Sequence, residues 1–288
     1  MDYLLEISHL SKQYPGFALQ DVSFSVPKGT IMGFVGENGA GKTTTIKLIL
    51  NELTRNSGSI RVLGKDNLRY ERQVKQEIGV VFDESYFHGE FQAGQLASIL
   101  RNIYANWDDA LYQNYLAKFS LPANQIIKEY SKGMKMKLAI ATALAHHPKL
   151  LILDEATSGL DPIAREEVLD AFLDFMQDEE HGILFSSHIT SDLEKIADYI
   201  TFLHKGKVVF SKAKDELLYQ FGLYKCGKQE LNTLKSEEYV AWRAHAFGCE
   251  ALINDRAAFR RRHPGAVVDT VNLDEIMSFY VKGQKSKE

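Results

Sequence analysis

One segment of the sequence combines glycines with a lysine and two hydroxyl side chains, in a pattern that can hold a chain of phosphates. It reads Gly36-Glu37-Asn38-Gly39-Ala40-Gly41-Lys42-Thr43, with Thr44 next. Glycine lets the backbone curl so that several N–H groups point inward, toward an anion. In the pattern G-x-x-x-x-G-K-[ST], Lys42 can reach the β- and γ-phosphates of a nucleotide, and the Thr43 hydroxyl can ligate magnesium. The segment therefore predicts a site for ATP and Mg²⁺.

A second group of chemical residues ends an apolar run. Leu150 to Leu153 is apolar throughout, as expected for a central parallel strand, and two acids follow it, Asp154 and Glu155. A strand end beside the phosphate loop is where a magnesium-holding carboxylate belongs, so Asp154 takes that role. Glu155 is then placed to take a proton from the attacking water. Acids at the end of a buried strand often only face solvent, so this interpretation depends on the phosphate loop.

Three further motifs are each weak evidence for a function when taken alone, but their combination is specific. Tyr130 to Met134 precedes a segment with helical spacing, Ser158 to Asp161 follows the strand at 150–153, and His188 follows the next strand. Ser131 could be a plain helix N-cap, and a single histidine is more often structural than catalytic. The order and the spacing of these motifs are what carry the functional interpretation.

With these motifs, the chain over about residues 2 to 215 resembles the ATP-binding subunit of an ATP-binding-cassette (ABC) transporter. The resemblance identifies residues 36–43 as the Walker A loop and residues 150–155 as the Walker B strand. It identifies residues 131–134 as the signature motif, residues 158–161 as the D-loop and His188 as the switch histidine. Tyr14 falls where the family places an aromatic residue that stacks on adenine; the alternative is a partly buried core tyrosine.

The family resemblance also implies an assembly. Two ATP-binding subunits, identical or different, form a head-to-tail dimer in which each ATP lies between one Walker A loop and the other subunit's signature motif. Ser131 and Gly133 would then contact the γ-phosphate in trans, and Asp161 would contribute to the nucleotide site. His188, with Glu155 a catalytic residue, would contact the γ-phosphate and the attacking water in cis. Dimerisation on ATP and release on hydrolysis would drive a membrane permease, which places the subunit in the cytoplasm, on the inner face of the membrane.

Two positions depart from the usual family pattern. Lys132 and Met134 replace a glycine and a glutamine of the signature motif, and the resulting sequence resembles the ABC-2 exporter branch. Asp83 stands where the family usually has a glutamine that contacts magnesium. An aspartate can ligate Mg²⁺, but beside Asp154 it would bring two carboxylates near one site. We therefore expect a steep magnesium dependence; alternatively, Asp83 faces solvent and plays no part.

The elements that position these motifs alternate between strands and helices, which predicts a doubly wound α/β core. The resemblance makes this a P-loop NTPase core of the ABC type, with an antiparallel β subdomain. Residues from about 84 to 147 form a helical insertion, whose aromatic segment Tyr86 to Phe91 either docks a helix of the permease or packs within the insertion. We place a domain boundary near residue 220. The ATP-binding domain is then 1–220, and 221–288 is a small α+β accessory domain for regulation or dimer contact.

Charge and composition narrow the classes of function. The 288 residues include 34 basic and 38 acidic side chains, a net charge of -4, so no basic field would recruit nucleic acid. The longest apolar stretch, 138–153, is interrupted at residues 146–149, so no membrane span is predicted. The two cysteines, Cys226 and Cys249, lack metal-ligand spacing and make a disulfide framework implausible. A reducing, cytoplasmic setting fits this composition best.

Three other functions remain to be weighed against transport. A soluble ABC-type ATPase acting on ribosomes or DNA is the main alternative, although the short insertion and the acidic net charge speak against it. A small-molecule P-loop kinase would not need the signature motif or His188. A GTPase would need an Asn-Lys-x-Asp motif, which the sequence lacks. The favoured function is a transport ATPase subunit, and the signature variant favours export.

Overall fold

The computed structural model describes residues 2–83, 87–246 and 248–284. The chain divides into two compact units, Met1–Ser211 and Lys212–Glu288. The division lies a short way before the boundary expected near residue 220, and we keep a two-domain organisation as a proposal. Each unit is described by itself below.

The first unit contains most of the strands and helices. Its strands are β1 (Tyr3–Tyr14), β2 (Phe17–Pro27), β3 (Ile31–Val35), β4 (Ser57–Val62), β5 (Lys65–Asp66), β6 (Ile78–Val81), β7 (Leu150–Asp154), β8 (Gly182–Ser186), β9 (Tyr199–His204) and β10 (Lys207–Ala213), the last of which crosses the division. Its helices are α1 (Lys42–Ile49), α2 (Glu71–Glu77), α3 (Ala93–Leu100), α4 (Asp109–Lys118), α5 (Lys132–Leu144), α6 (Pro162–Phe175) and α7 (Thr190–Ile196).

A six-stranded sheet in the order β10-β9-β3-β8-β7-β6 forms the centre of this unit. The pairs β9/β3, β3/β8, β8/β7 and β7/β6 are parallel, which confirms the predicted α/β core. Every residue of β3, β7 and β8 is buried, as their apolar sequences predict for strands covered on both faces. Because parallel strands end at the same edge of a sheet, the loop after β3 and the acids that end β7 lie at one edge.

A second sheet, in the order β2-β1-β4-β5, pairs its strands in antiparallel fashion. Strand β1 is longer than the apolar pattern of residues 4–8 indicates. It continues to Tyr14 because its pairing with β2 tolerates irregularities between Ile7 and Lys12. Local alternation in the sequence does not signal such bulges. The β1–β2 hairpin closes with Tyr14 opposite Phe17.

The insertion after β6 is helical, as predicted, and consists of α3, α4, a short 3₁₀ turn (Ile127–Glu129) and α5. Tyr86 lies outside the described residues. Phe91 accepts a hydrogen bond at its carbonyl from the Ile127 N–H (2.9 Å), and its ring lies 5.2 Å from that of His88. This segment therefore packs back onto the insertion. None of the helices in the described ranges is both long and apolar enough to cross a membrane.

The second unit is a small α+β fold. Its elements are α8 (Lys214–Gln220), β11 (Gly222–Cys226), α9 (Lys228–Leu231), a 3₁₀ turn (Ser236–Glu238), β12 (Tyr239–His245), β13 (Gly248–Ile253), α10 (Arg256–Arg262), β14 (Val268–Asp269) and α11 (Leu273–Lys282). The strands form an antiparallel sheet in the order β12-β13-β11-β14. The last helix is capped by Asn272, whose side chain accepts the Glu275 N–H at 2.8 Å.

Candidate active site

The loop between β3 and α1 is shaped by its glycines. A Cβ on Gly36 would lie 2.4 Å from the Leu203 carbonyl oxygen, so only glycine fits this position. Gly39 and Gly41 have φ of +81° and +113°, which side chains rarely adopt. Gly41 is also the N-cap of α1 and offers no side-chain cap, so the first N–H groups of the helix are left for a ligand. The loop therefore has the form of an anion cradle.

The turn between β9 and β10 supports this cradle from the side. The Gly206 N–H donates to the Ala40 carbonyl oxygen at 3.0 Å, and the Gly206 carbonyl accepts the Gln20 N–H at 2.8 Å. At the same turn, His204 Nδ1 lies 3.5 Å from Glu37 Oε2. No local sequence pattern signals this contact with the loop, because the two segments are far apart in the chain.

Lys42 lies inside the cradle. Its side chain is only 6% exposed, and its Nζ donates to the Gly36 carbonyl oxygen at 2.7 Å. A buried ammonium group needs a negative partner, and here Glu155 Oε1 lies 3.5 Å away. The lysine is thus folded over the loop, with its ammonium group between the Gly36 carbonyl oxygen and the Glu155 carboxylate.

Asp154, the last residue of β7, is 4% exposed. Burial raises the pKa of its carboxyl group, and the charges of Glu155 and Asp83 raise that pKa further, while the nearby Thr43 and Ser186 hydroxyls oppose the rise. Its Oδ1 atom is buried and has no hydrogen-bond partner within the described ranges. This one buried oxygen is therefore left for a ligand such as a cation.

These oxygens fit a magnesium ion. Mg²⁺ prefers hard oxygen ligands and usually keeps several waters, so it needs only one or two protein groups besides the phosphates. Asp154 Oδ1 and the exposed Thr43 hydroxyl are such groups. Asp83 is exposed, and its charge acts on the Asp154 carboxyl group, so the two carboxylates are neighbours.

Glu155 adopts an uncommon backbone conformation, with φ of +57°. Its N–H donates to the Ser186 carbonyl oxygen at 2.9 Å, which fixes the turn after β7. Its Oε2 atom lies 2.5 Å from His188 Nδ1 and accepts the His188 backbone N–H at 3.3 Å. The Glu155 side chain is 16% exposed and that of His188 is 48% exposed. The structure therefore brings together Glu155, His188 and Lys42.

Three other predicted site residues lie at helix starts and, in the part of the chain that the structure describes, do not join the contacts of Glu155, His188 and Lys42. They are Ser131, Gly133 and Asp161. Ser131 caps α5 by accepting the Met134 N–H at 3.2 Å, and Gly133 follows in the first turn. Asp161 caps α6 by accepting two backbone N–H groups at 3.1 and 3.0 Å, and these bonds lower the pKa of its carboxyl group. Ser131 and Asp161 are exposed. Within the described ranges, no hydrogen bond or ion pair joins these three residues to the loop 36–43.

Tyr14 lies at the end of the β1–β2 hairpin, half-buried, with Lys12 Nζ 5.2 Å from the centre of its ring. Phe17, opposite Tyr14, reaches the phosphate loop: a Cβ built on Gly41 would lie 2.9 Å from the Phe17 ring. The hairpin end that carries the tyrosine is therefore beside the loop.

Comparison with known proteins agrees with this geometry. The family model described as "ABC transporter" matches residues 19–158. The lantibiotic transport ATP-binding protein SrtF of Streptococcus pyogenes is 34% identical over 74% of this chain and 92% of its own length. The bacitracin transport ATP-binding protein BcrA of Bacillus licheniformis is 32% identical over 73% of this chain and 69% of its own.

A solved structure, that of an ATP-binding subunit of an ABC transporter, gives the same result. It superposes with a TM-score of 0.69 at 29% identity and covers 74% of this chain and 91% of that one. The predicted fold and the predicted family are both confirmed. The chain belongs to the ABC transporter family, as an ATP-binding subunit that hydrolyses ATP to power a membrane transporter.

Proposed function

We propose that the nucleotide site is composite: one subunit supplies the loop 36–43, Asp154, Glu155 and His188, and a second subunit supplies Ser131, Gly133 and Asp161. One observation carries the proposal. The first group is connected by short contacts, whereas the second caps exposed helix ends that have no bond to the loop in the described residues. A helix N-terminus attracts phosphate oxygens, so these ends suit a nucleotide held by another chain.

The first group binds and orients ATP. The loop N–H groups and Lys42 hold the phosphates, and Tyr14 stacks on the adenine ring. The ion-binding oxygens come from Thr43, Asp154 and Asp83. Bound Mg²⁺ supplies positive charge that offsets the charge developing on the transferred phosphoryl group.

Glu155 acts on the water. Its carboxylate accepts a proton from the water whose oxygen attacks the γ-phosphorus, while the bond from that phosphorus to the ADP oxygen breaks. His188 orients the carboxylate, since its Nδ1 lies 2.5 Å from Oε2. Lys42 Nζ lies 3.5 Å from the other carboxylate oxygen of Glu155. When nucleotide binds, this ammonium group leaves Glu155 and contacts the phosphates instead.

The partner is a transmembrane permease of the ABC-2 type, and the direction of transport is export. The names of SrtF and BcrA, which refer to lantibiotic and bacitracin transport, support a role with a dedicated transporter. The signature segment Tyr130 to Met134 supports the ABC-2 branch. Such a subunit works at the cytoplasmic face of the membrane and takes no nucleic acid as partner.

The dimer is tested with a subunit that binds ATP but cannot hydrolyse it. The variant Glu155→Gln, with ATP and Mg²⁺, should have twice the subunit mass by light scattering and return to the monomer mass without nucleotide. The matched control Glu166→Gln changes an exposed glutamate on α6. This variant still hydrolyses ATP, so it should stay monomeric in the presence of ATP and Mg²⁺. A Glu155→Gln protein that binds ATP and remains monomeric would refute the homodimer and leave pairing with a different ATP-binding subunit.

A further inference from the structure

The two cysteines of the chain, Cys226 and Cys249, face each other in the second unit. Cys226 ends β11 and Cys249 lies near the start of β13, and these strands pair antiparallel with Cys226 directly opposite Cys249. Residues directly opposite in an antiparallel pair point to the same face of the sheet, with Cβ atoms about 4.5–5.5 Å apart. The fold thus makes neighbours of two thiols that are far apart in sequence.

The surroundings hold both thiols close. Cys249 is fully buried and Cys226 is half-buried, and both pack in the apolar cluster around Phe259. Both are free thiols. The strands approach tightly at this end, because a Cβ on Gly248 would lie 2.8 Å from the Cys226 carbonyl oxygen. Glycine next to Cys249 therefore permits the close approach of the two strand backbones beside the cysteines.

We propose that Cys226 and Cys249 form a reversible redox site, closed to an intramolecular disulfide by exchange with a low-molecular-weight disulfide such as glutathione disulfide. Disulfides span Cα separations of about 4.4–6.8 Å. Opposite residues of an antiparallel ladder have Cα separations of about 4.5–5.5 Å. The bond can therefore form without a shift in strand register.

The exchange balances in two steps. Cys226, the more exposed thiol, loses its proton, and its sulfur attacks the small disulfide and releases one small thiol. Cys249 then loses its proton and attacks the Cys226 sulfur, which expels the second small thiol. One small disulfide is consumed and two small thiols are formed, so two electrons pass from the protein to the small disulfide. Excess small thiol reverses the reaction.

The environment sets the rate of this exchange. Burial, together with the nearby Cys249 and Glu230, raises the pKa of the Cys226 thiol to about 11. Because the thiolate is the nucleophile, the first step is slow at neutral pH and accelerates about tenfold for each pH unit below that pKa. The site therefore responds to sustained oxidation rather than to brief exposure.

The test uses the full chain incubated with glutathione disulfide and then digested with trypsin. We expect mass spectrometry to find the peptides 226–228 and 244–256 linked to each other, with both thiols lost to alkylation and recovered with dithiothreitol. The rate should rise about tenfold from pH 7 to pH 8. The linked protein should melt at a higher temperature, because the bond restricts the unfolded chain.

Single variants separate the two steps. Cys249→Ser should accumulate a stable glutathione adduct on Cys226, whereas Cys226→Ser should leave the buried Cys249 unmodified. The proposal is overturned if the natural sequence keeps a glutathione adduct on Cys226, forms only links between molecules, or retains both thiols. A linked protein with a lower melting temperature would likewise contradict a bond that forms without distorting the sheet.

Discussion

The two helix starts that flank the catalytic chemistry are built in opposite ways. The start of α1 is preceded by a glycine with no side chain to cap it, and the first residue of the helix is the buried lysine Lys42, whose ammonium group lies 3.5 Å from Glu155 Oε1. The start of α5 is capped by its own Ser131, and that residue is exposed. The first arrangement is ready to receive an anion within its own subunit. The second is capped without any ligand, and in the composite site that we propose it contributes to a phosphate site only when a second subunit is present.

Removing the Lys42 charge is expected to have the largest effect on the first helix start. The variant Lys42→Ala should abolish measurable ATP binding, because it removes the buried cation of the cradle. Titration calorimetry measures this directly. The control Lys47→Ala removes a partly buried lysine from the last turn of the same helix and should bind normally. Normal nucleotide affinity in Lys42→Ala would refute the cradle assignment.

The next effect concerns the step after binding. The variant Glu155→Gln should lower ATP turnover by about 10²–10⁴, the range for loss of a general base, while ATP affinity is kept. Phosphate release in the steady state checks the rate, and Glu166→Gln again serves as the control. If Glu155→Gln turned over ATP at the normal rate, the base would have to be another residue.

A smaller effect is expected on stability at Asp154. Burial raises the pKa of this carboxyl group above its unfolded value, so the charged form weakens the fold at neutral pH. The variant Asp154→Asn should therefore melt about 2–4 °C higher at pH 7, a shift that corresponds to ~1 kcal/mol. The gain should shrink as the pH falls into the usual titration range of aspartate, because protonation of the carboxyl group removes the cost of burying its charge.

Calorimetric melting across this pH range measures the difference in melting temperature between Asp154→Asn and the natural sequence. The same variant should lose magnesium-dependent ATP hydrolysis. The Asp154 carboxylate would then be required for function although it lowers the stability of the fold. If the Asp154→Asn protein melted at a lower temperature than the natural sequence at pH 7, the carboxylate would stabilise the fold, and the prediction would be wrong.

The features that could be predicted from the sequence are those encoded locally. The glycines before Lys42, the apolar run before Asp154 and the cap of α11 each depend on a few consecutive residues. The contact of Gly206 with Ala40 and the pairing of Cys226 with Cys249 depend on strand register, which emerges only when distant segments pack. The length of β1 also escaped prediction, because its irregular pairing with β2 interrupts the alternation of apolar residues.

The central claim, that each site combines residues of two subunits, is tested most directly by mixing two inactive variants. Lys42→Ala and Ser131→Ala should each hydrolyse ATP poorly alone. In a mixed dimer, the intact loop of the Ser131→Ala chain meets the intact helix start of the Lys42→Ala chain and completes one site. Asp255→Ala, which removes the N-cap of α10, controls for the loss of a cap and should stay active.

The measured quantity is the ATPase rate of an equimolar mixture of Lys42→Ala and Ser131→Ala. We expect recovery toward about a quarter of the natural rate, since random pairing makes half of the dimers mixed and each mixed dimer holds one complete site. A mixture no more active than the average of its two components would contradict the composite site.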